Sequence, residues 1–297
     1  MSPRPSLHQF EWIMAEYTME LVKISSKVYA NTKGETGGNV GIILLRDSVA
    51  AVDAQYPVPG QDFRRSISSV TEKPVKYLLL THSHGDHVFG NQAFEDCEII
   101  AQRLLKERME ANLKTEWSPD GLKKMLEDVR KNRPEQVPLL EGLRIVLPTK
   151  TFEERYSLGE GVELLHLPGH TAGSTVVHVV DDKLLFSGDL IFAGQFPWGG
   201  DPTADPDRWI DSFKEILAMN IDTIVPGHGP VCYKEEVKKQ LVFFEGVRKE
   251  IRRLISEGAT AEEVAAYSGY PSFYQPMRPQ WWGDTLRHWY RVWKNRS

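Results

Sequence analysis

The spacing of apolar positions changes several times along the chain, and each change predicts an element. From residue 20 to 55 the pattern alternates and turns as strands do: Glu20 to Tyr29, Asn39 to Leu45 and Val49 to Val52. Gly37-Gly38 reads as a turn, and Asp53 closes the third run. Residues 60–72 take helical spacing, with Phe63, Ile67 and Val70 on one face. Val75 to Leu80 is a continuous apolar run, read as a buried strand, and Cys97 to Ala101 is another strand. Residues 102–144 are rich in Lys, Glu, Arg and Leu, with helical spacing broken by Pro119, Pro134 and Pro138. They read as a helical insertion that caps a pocket or packs on the core, with Met109, Leu113, Trp117, Leu122 and Met125 as its apolar positions. Strands return over 151–191, with Asp181-Asp182 as a hairpin turn between Ser174 to Val180 and Lys183 to Phe186. A long loop over 191–207 precedes a helix at 207–219 with Trp209, Phe213, Ile216 and Leu217 inward.

After Ile221 to Val225, a last strand, the chain turns helical from Lys234. Val237, Leu241, Phe244, Val247, Ile251 and Leu254 keep a 3.6-residue period. Gly258 stops that helix, and Ala261 to Tyr267 forms a short second one. The remainder carries Tyr270, Phe273, Tyr274, Trp281, Trp282, Trp289, Tyr290 and Trp293. So apolar a tail does not hang free in water; it packs on the core, lines the pocket or forms a subunit interface in a homodimer, with packing the first expectation and an interface the second. Residues 1–17 read as a surface arm, with Phe10, Trp12 and Tyr17 available for docking.

Composition narrows the class. The 297 residues are 41% hydrophobic and 26% charged, with a formal net charge of −5. That is ordinary soluble composition, and its sign argues against a general nucleic-acid binder. No run approaches the roughly 18 apolar residues of a membrane span. Met1 to Glu20 has no apolar secretory core. Cys97 and Cys232 stand in no metal-type spacing, so reduced thiols and a cytoplasmic location are expected.

The chemistry concentrates after the Val75 to Leu80 strand. Thr81-His82-Ser83-His84-Gly85-Asp86-His87 places four metal-capable side chains within six residues. Buried, such groups need partners, and a cation is one. His82 and His84 leave an extended segment on the same side, while Gly85 lets Asp86 and His87 turn toward a second ion. His170, Asp189 and His228 each follow an apolar run and sit beside a glycine, read as positions a few residues past strand ends. His166 and His178 fall inside strands and read as structural; His8 and His288, near the termini, carry no argument.

With these motifs in order, the chain resembles the metallo-β-lactamase-fold hydrolases over most of residues 20–232: His82-x-His84-x-Asp86-His87, His170 in Gly169-His170-Thr171-Ala172-Gly173-Ser174, Asp189, and His228 in Pro226-Gly227-His228-Gly229. The resemblance implies an α/β fold, a four-layer αββα sandwich of two mixed β-sheets flanked by helices. It implies a core at 18–232 and a helical, aromatic-rich extension at 233–297. It assigns His82, His84 and His170 to one metal, Asp86, His87 and His228 to a second, and Asp189 to both. Asp53 would support the metal loop, with a simple turn carboxylate as the competing reading. Donors of this kind suit two divalent ions, Zn2+ first, with Fe2+ or Mn2+ as alternatives.

Such a pair makes water acidic enough to give a bridging hydroxide at neutral pH, so the expected reaction is hydrolysis of a small-molecule carboxylic ester, lactone or thioester. Asp86, or a metal-bound water, would protonate the leaving group. Phe192, Phe196 and Trp198, in the loop that starts beside Asp189, are the expected substrate wall, with a dimer contact as the competitor. Asp189 stands where penicillin-cleaving members carry Cys, which disfavours that substrate. Phosphodiester or phosphotriester cleavage is the second expectation, and an iron-dependent sulfur dioxygenase the third.

Overall fold

The computed structural model describes residues 19–34 and 36–296. The expected arm at residues 1–17, with His8, lies outside them. The first sheet has seven strands in sequential order: β1 (Val22–Lys23), β2 (Val28–Asn31), β3 (Val40–Leu44), β4 (Val49–Val52), β5 (Val75–Leu79), β6 (Glu98–Gln102) and β7 (Lys150–Phe152). β1 to β4 pair antiparallel and β4 to β7 parallel. The second sheet takes β8 (Arg155–Gly159), β9 (Val162–His166), β10 (Thr175–Val179), β11 (Leu184–Phe192) and β12 (Thr223–His228), ordered β12-β11-β10-β9-β8. Only its β11–β12 pair is parallel.

Period-2 alternation within nearly apolar strands sorts the side chains into layers. Ile43, Ala50, Val52, Leu79 and Ile100 of the first sheet meet Val162, Leu164, Val177, Val179, Leu184 and Val225 of the second in one buried cluster. Their neighbours Ile42, Ala51, Leu78 and Ile99 face the opposite way, against helices. The outer face of the second sheet, with Val176, Leu185 and Ile224, is covered by Trp209, Phe213, Phe244 and Trp289. Helix, sheet, sheet and helix stack as the αββα sandwich.

The helices are α1 (Pro57–Ser66), α2 (Gly85–Val88), α3 (Arg103–Asn112), α4 (Pro119–Asn132), α5 (Pro206–Ala218), α6 (Lys234–Ser256), α7 (Ala261–Ala266) and α8 (Pro279–Lys294). Local chemistry sets several boundaries. Ser118 accepts from Gly121 N–H and Asp205 from Asp207 and Arg208 N–H, each just before a proline at the first helical position. The helix expected at 60–72 starts earlier, at Pro57, because proline's fixed φ favours a first turn; it ends at Ser66 in a 3-10 turn over Ile67–Ser69.

Two expectations need correction. Asp189 is inside β11, which runs on to Phe192, and His228 is the last residue of β12. The apolar count placed both strand ends too early, because register shifts around Gly188 let β11 continue past the glycine.

Candidate metal centre

The side chains named from the sequence meet at one edge of the two sheets. His82 and His84 follow β5, and Asp86 and His87 lie on α2. His170 is in the β9–β10 turn, Asp189 in β11 and His228 at the end of β12. They form two groups, His82, His84, His170 and Asp189, and Asp86, His87 and His228, each with donor atoms within 4.8 Å of one another. Asp189 reaches both. Its Oδ2 lies 3.6 Å from His82 Nε2, 3.4 Å from His170 Nε2 and 3.4 Å from His228 Nε2, and its Oδ1 lies 3.2 Å from His87 Nε2. His228 Nε2 is 3.4 Å from Asp86 Oδ2.

The outer nitrogens of the rings decide what the inner ones can do. His84 Nε2 is 3.0 Å from Asp201 Oδ2, and an imidazole can only donate to a carboxylate. In the neutral ring Nδ1 is therefore bare. His170 Nδ1 donates to Trp198 O at 3.1 Å, leaving Nε2 bare. Thr81 Oγ1 gives its proton to Asp53 Oδ2 at 2.7 Å, so its oxygen accepts from His82 Nδ1 at 3.1 Å. His87 Nδ1 donates to Asp53 Oδ2 at 2.8 Å. Bare nitrogens thus converge: His84 Nδ1 lies 3.1 Å from His82 Nε2 and 2.9 Å from His170 Nε2. His87 Nε2 and Asp189 Oδ1 are buried without a hydrogen-bond partner. Lone pairs facing one another out of water are unfavourable unless a cation stands between them. The donor set fits divalent metal ions.

The electrostatics agree. Burial, above all, holds His82 well below the ordinary histidine range and His170 down at about 3, so both are neutral donors. Burial would lower His87 and His228 too, but the carboxylates of Asp189 and Asp86 overcome it; His87 is raised and His228 reaches about 9. The two carboxylates thus offset the burial of both rings.

Several supports were not visible as site residues in the sequence. Gly37-Gly38 turns the chain as expected, but Gly38 also lies flush on the site: a Cβ there would sit 2.2 Å from His87 Cε1. A Cβ on Gly227 would sit 2.0 Å from Asp189 Oδ1. Asn39 Nδ2 donates to Pro226 O and Gly229 O, both at 2.8 Å, and so grips the turn carrying His228. Asp201, 4% exposed, is itself fixed by Thr203 N–H at 2.7 Å and Thr203 Oγ at 2.6 Å. An Asp-x-Thr turn in the loop after β11 was the available signal. Asp53 accepts from Thr81 N–H at 2.8 Å as well as from Thr81 Oγ and His87, so it faces the metal loop rather than solvent. His166 and His288 are structural, donating to Ala172 O and Ala204 O at 2.8 Å each.

A cleft of about 540 Å³ opens above the centre; His84, Asp86, Asp189 and His228 line it with Tyr56, Phe192 and Trp198. Phe192 stacks on His228 at 5.3 Å and 11°. Phe196 does not line the cleft. It is 1% exposed and packs against Trp282 and Phe243, because the loop turns it into the core. The insertion reaches the cleft through Arg133, Glu135, Gln136 and Leu139, not through its expected apolar positions. Met109 and Trp117 are instead buried in the outer layer, with Leu122 and Met125 packed on it. The tail does two things: Trp289 and Trp293 pack in the core, and Trp281 lines the cleft.

The family model of the metallo-beta-lactamase superfamily matches residues 34–228. The chain belongs to that superfamily. Among curated relatives of this superfamily member, a linear primary-alkylsulfatase from a Pseudomonas species is 26% identical over 281 residues, 84% of this chain and 52% of the relative. A hydroxyacylglutathione hydrolase of Haemophilus influenzae is 30% identical over 181 residues, 58% of this chain and 77% of the relative. An acyl-coenzyme A thioesterase of Gallus gallus is 28% identical over 162 residues, 50% of this chain and 55% of the relative. The chain thus spans only about half the length of the alkylsulfatase and of the thioesterase. Of solved structures, the DIM-1 metallo-beta-lactamase superposes with a TM-score of 0.59 at 15% identity, covering 76% of this chain and 96% of its own, which shows a shared fold.

Proposed function

We propose that the chain is a dinuclear metal-dependent hydrolase that cleaves a carboxylic ester, thioester or lactone. Zinc is the first choice of metal, with iron(II) or manganese(II) as alternatives. His82, His84 and His170 would hold one ion, Asp86, His87 and His228 the other, with Asp189 between them. When bound, two such ions supply an acidified water and a Lewis acid for the substrate oxygen. The chain's own groups do the rest. Asp53, Asp201 and Trp198 O keep the imidazole tautomers that turn bare nitrogens inward. Tyr56, Phe192 and Trp198 wall the cleft. Asp86, with 24% side-chain exposure against 5% for Asp189, is the carboxylate placed to pass a proton to a leaving group; burial pushes its carboxyl up but His87 and His228 hold it well below the usual range, so it would first take that proton from the attacking water. The observation that carries this reading is the gathering of the bare nitrogens of His82, His84 and His170, and of His87 and His228, around Asp189 at the floor of a cleft. The catalytic unit is taken as residues 18–232, with 233–297 as an extension.

The likeness to the hydroxyacylglutathione hydrolase and the acyl-coenzyme A thioesterase supports a thioester substrate. A second reading, sulfate-ester cleavage, is favoured by the alkylsulfatase match, which takes in 84% of this chain. The test is a panel of phenyl acetate, S-phenyl thioacetate, a γ-lactone and dodecyl sulfate, offered to the zinc-loaded protein. Cleavage of an acyl substrate is expected. Cleavage of dodecyl sulfate alone favours the second reading, and turnover of none overturns both.

A further inference from the structure

Two arginines from distant parts of the chain line the same cleft. Arg133 comes from the insertion, just after α4, and Arg278 stands immediately before α8. We propose that Arg278, in the cleft that Arg133 also lines, is an anion anchor, so that the substrate is an ester bearing a carboxylate remote from the bond being cut, with a flat apolar segment between. The proposal rests on the hydrolase reading and names the substrate class it leaves open.

Three observations carry it. First, Arg278 makes no ion pair with any carboxylate among the described residues; its guanidinium instead lies 5.5 Å from the ring centroid of Trp281. Arg133 is engaged on both terminal nitrogens, Nη2 3.2 Å from Asp128 and Nη1 3.3 Å from Gln136 Oε1, so it stands second to Arg278. Second, the other charges at the rim are Glu135, an exposed residue, and Arg133, already paired with Asp128, so Arg278 is the cation at the cleft left without a carboxylate among the described residues. A guanidinium without a carboxylate partner at a cleft mouth is free to take an incoming anion, and its planar fork matches a carboxylate well. Third, Trp198 and Trp281 face each other across 6.3 Å at 44°, with Trp198 5.3 Å from His84. The aromatic pair therefore spans from the metal ligands to the arginine, which is where a flat apolar segment would lie. Both guanidiniums also act on the Tyr56 hydroxyl, which burial and Asp86 push up and they pull down. They share the cleft's interior field, not only its outer surface.

The test uses the full chain loaded with zinc. Rates for 4-carboxyphenyl acetate and phenyl acetate are each divided by the rate of alkaline hydrolysis of the same ester. The anionic ester is expected to be favoured about tenfold in kcat/KM, chiefly through KM. R278Q is expected to bring that ratio close to one, R278K to leave it intermediate, and K238Q, a surface control, to leave it unchanged. A ratio near one in the parent, or the same ratio in R278Q, overturns the anchor and leaves Arg278 a solvated surface cation. A second arm does not depend on turnover: quenching of tryptophan fluorescence by biphenyl-4-carboxylate against biphenyl-4-methanol. Carboxylate binding weakened about tenfold in R278Q is expected. If the carboxylate binds this way but no ester is cleaved, the anchor stands and the hydrolase reading falls. If it binds R278Q as tightly as the parent, the anchor falls.

Discussion

The two halves of the centre are held by different parts of the chain. His87 and His228 are fixed from the sheets: Asp53 directly follows β4 and holds the His87 ring, Gly38 lies against that ring, and Asn39 grips Pro226 and Gly229. His84 and His170 are fixed from the loop after β11, by Asp201 and by Trp198 O. That loop is in turn held by the last helix: Thr285 Oγ1 accepts from Gly199 N–H at 3.0 Å, and His288 Nε2 donates to Ala204 O at 2.8 Å. One half is therefore supported by the first sheet and its turns, the other by residues more than eighty positions further on. The aromatic tail is a structural part of the centre, and damage to the two halves should be separable.

Removing the ions should have the largest effect, because it removes both halves at once. Chelation is expected to abolish turnover. With ligand at 100 times Kd the bound form gains about 2.7 kcal/mol, so Tm should fall by roughly 5–10 °C. Scanning calorimetry before and after chelation, with zinc restoring both readouts, checks this. Unchanged Tm and turnover after complete metal removal would break the account of the whole site.

Next come the two carboxylates behind the rings. D53N puts an amide NH2 against Thr81 and removes the charge behind His87, and D201N does the same behind His84. Each should cost roughly 10–100-fold in affinity for one ion. At limiting zinc both variants should hold one equivalent where the parent holds two. Cobalt(II) spectra should then differ between them, since the retained ion sits in opposite halves. Identical spectra would mean that the halves are not independent.

The comparison also explains what could be read from the sequence. The grouping of the seven candidate donors was legible because their segments are polar breaks that follow or end apolar runs, where unpaired polar groups would be costly. The layers were legible because strands such as Ile42-Ile43 and Leu78-Leu79 send alternate residues into different clusters. The loop-borne support was not. Asp201 carried a weak local mark in its Asp-x-Thr turn, but it, Thr285 and His288 meet their partners only across tertiary distance. Phe196 looked like a wall residue because it lies between Phe192 and Trp198, but the loop's turn points it toward Phe243. Arg133 and Arg278 were silent for the same reason, being single cations brought together by the fold.

T285V should be milder and should sharpen the contrast. It keeps the shape but leaves Gly199 N–H without its acceptor in a buried place, at about 1–3 kcal/mol of stability. If the last helix positions Trp198 and Asp201, affinity in the half holding His84 and His170 should fall by less than about tenfold, with the other half unchanged. T285S, which keeps the hydroxyl, should restore it. Loss of stability with both ions bound as in the parent would reduce the tail to simple packing.

The smallest effect is expected from a contact that serves neither half. Asp182, in the β10–β11 turn, accepts from the Ser25 hydroxyl, from Ser26 Oγ at 2.8 Å and from Lys27 N–H at 2.9 Å, clasping one sheet to the other far from the ions. Partial burial pushes its carboxyl up, but these donors overcome that and hold it below the usual range. A carboxylate with a depressed folded pKa stabilises the fold above its unfolded value, about 3.9, and loses that contribution as pH falls through the folded one. D182A should therefore cost about 1–2 kcal/mol at neutral pH, and the gap from the parent should close as the pH drops below about 4. Zinc affinity and turnover should not change. A D182A variant that lost an ion would show the centre coupled to the whole sandwich, and the separation into two locally supported halves would fail.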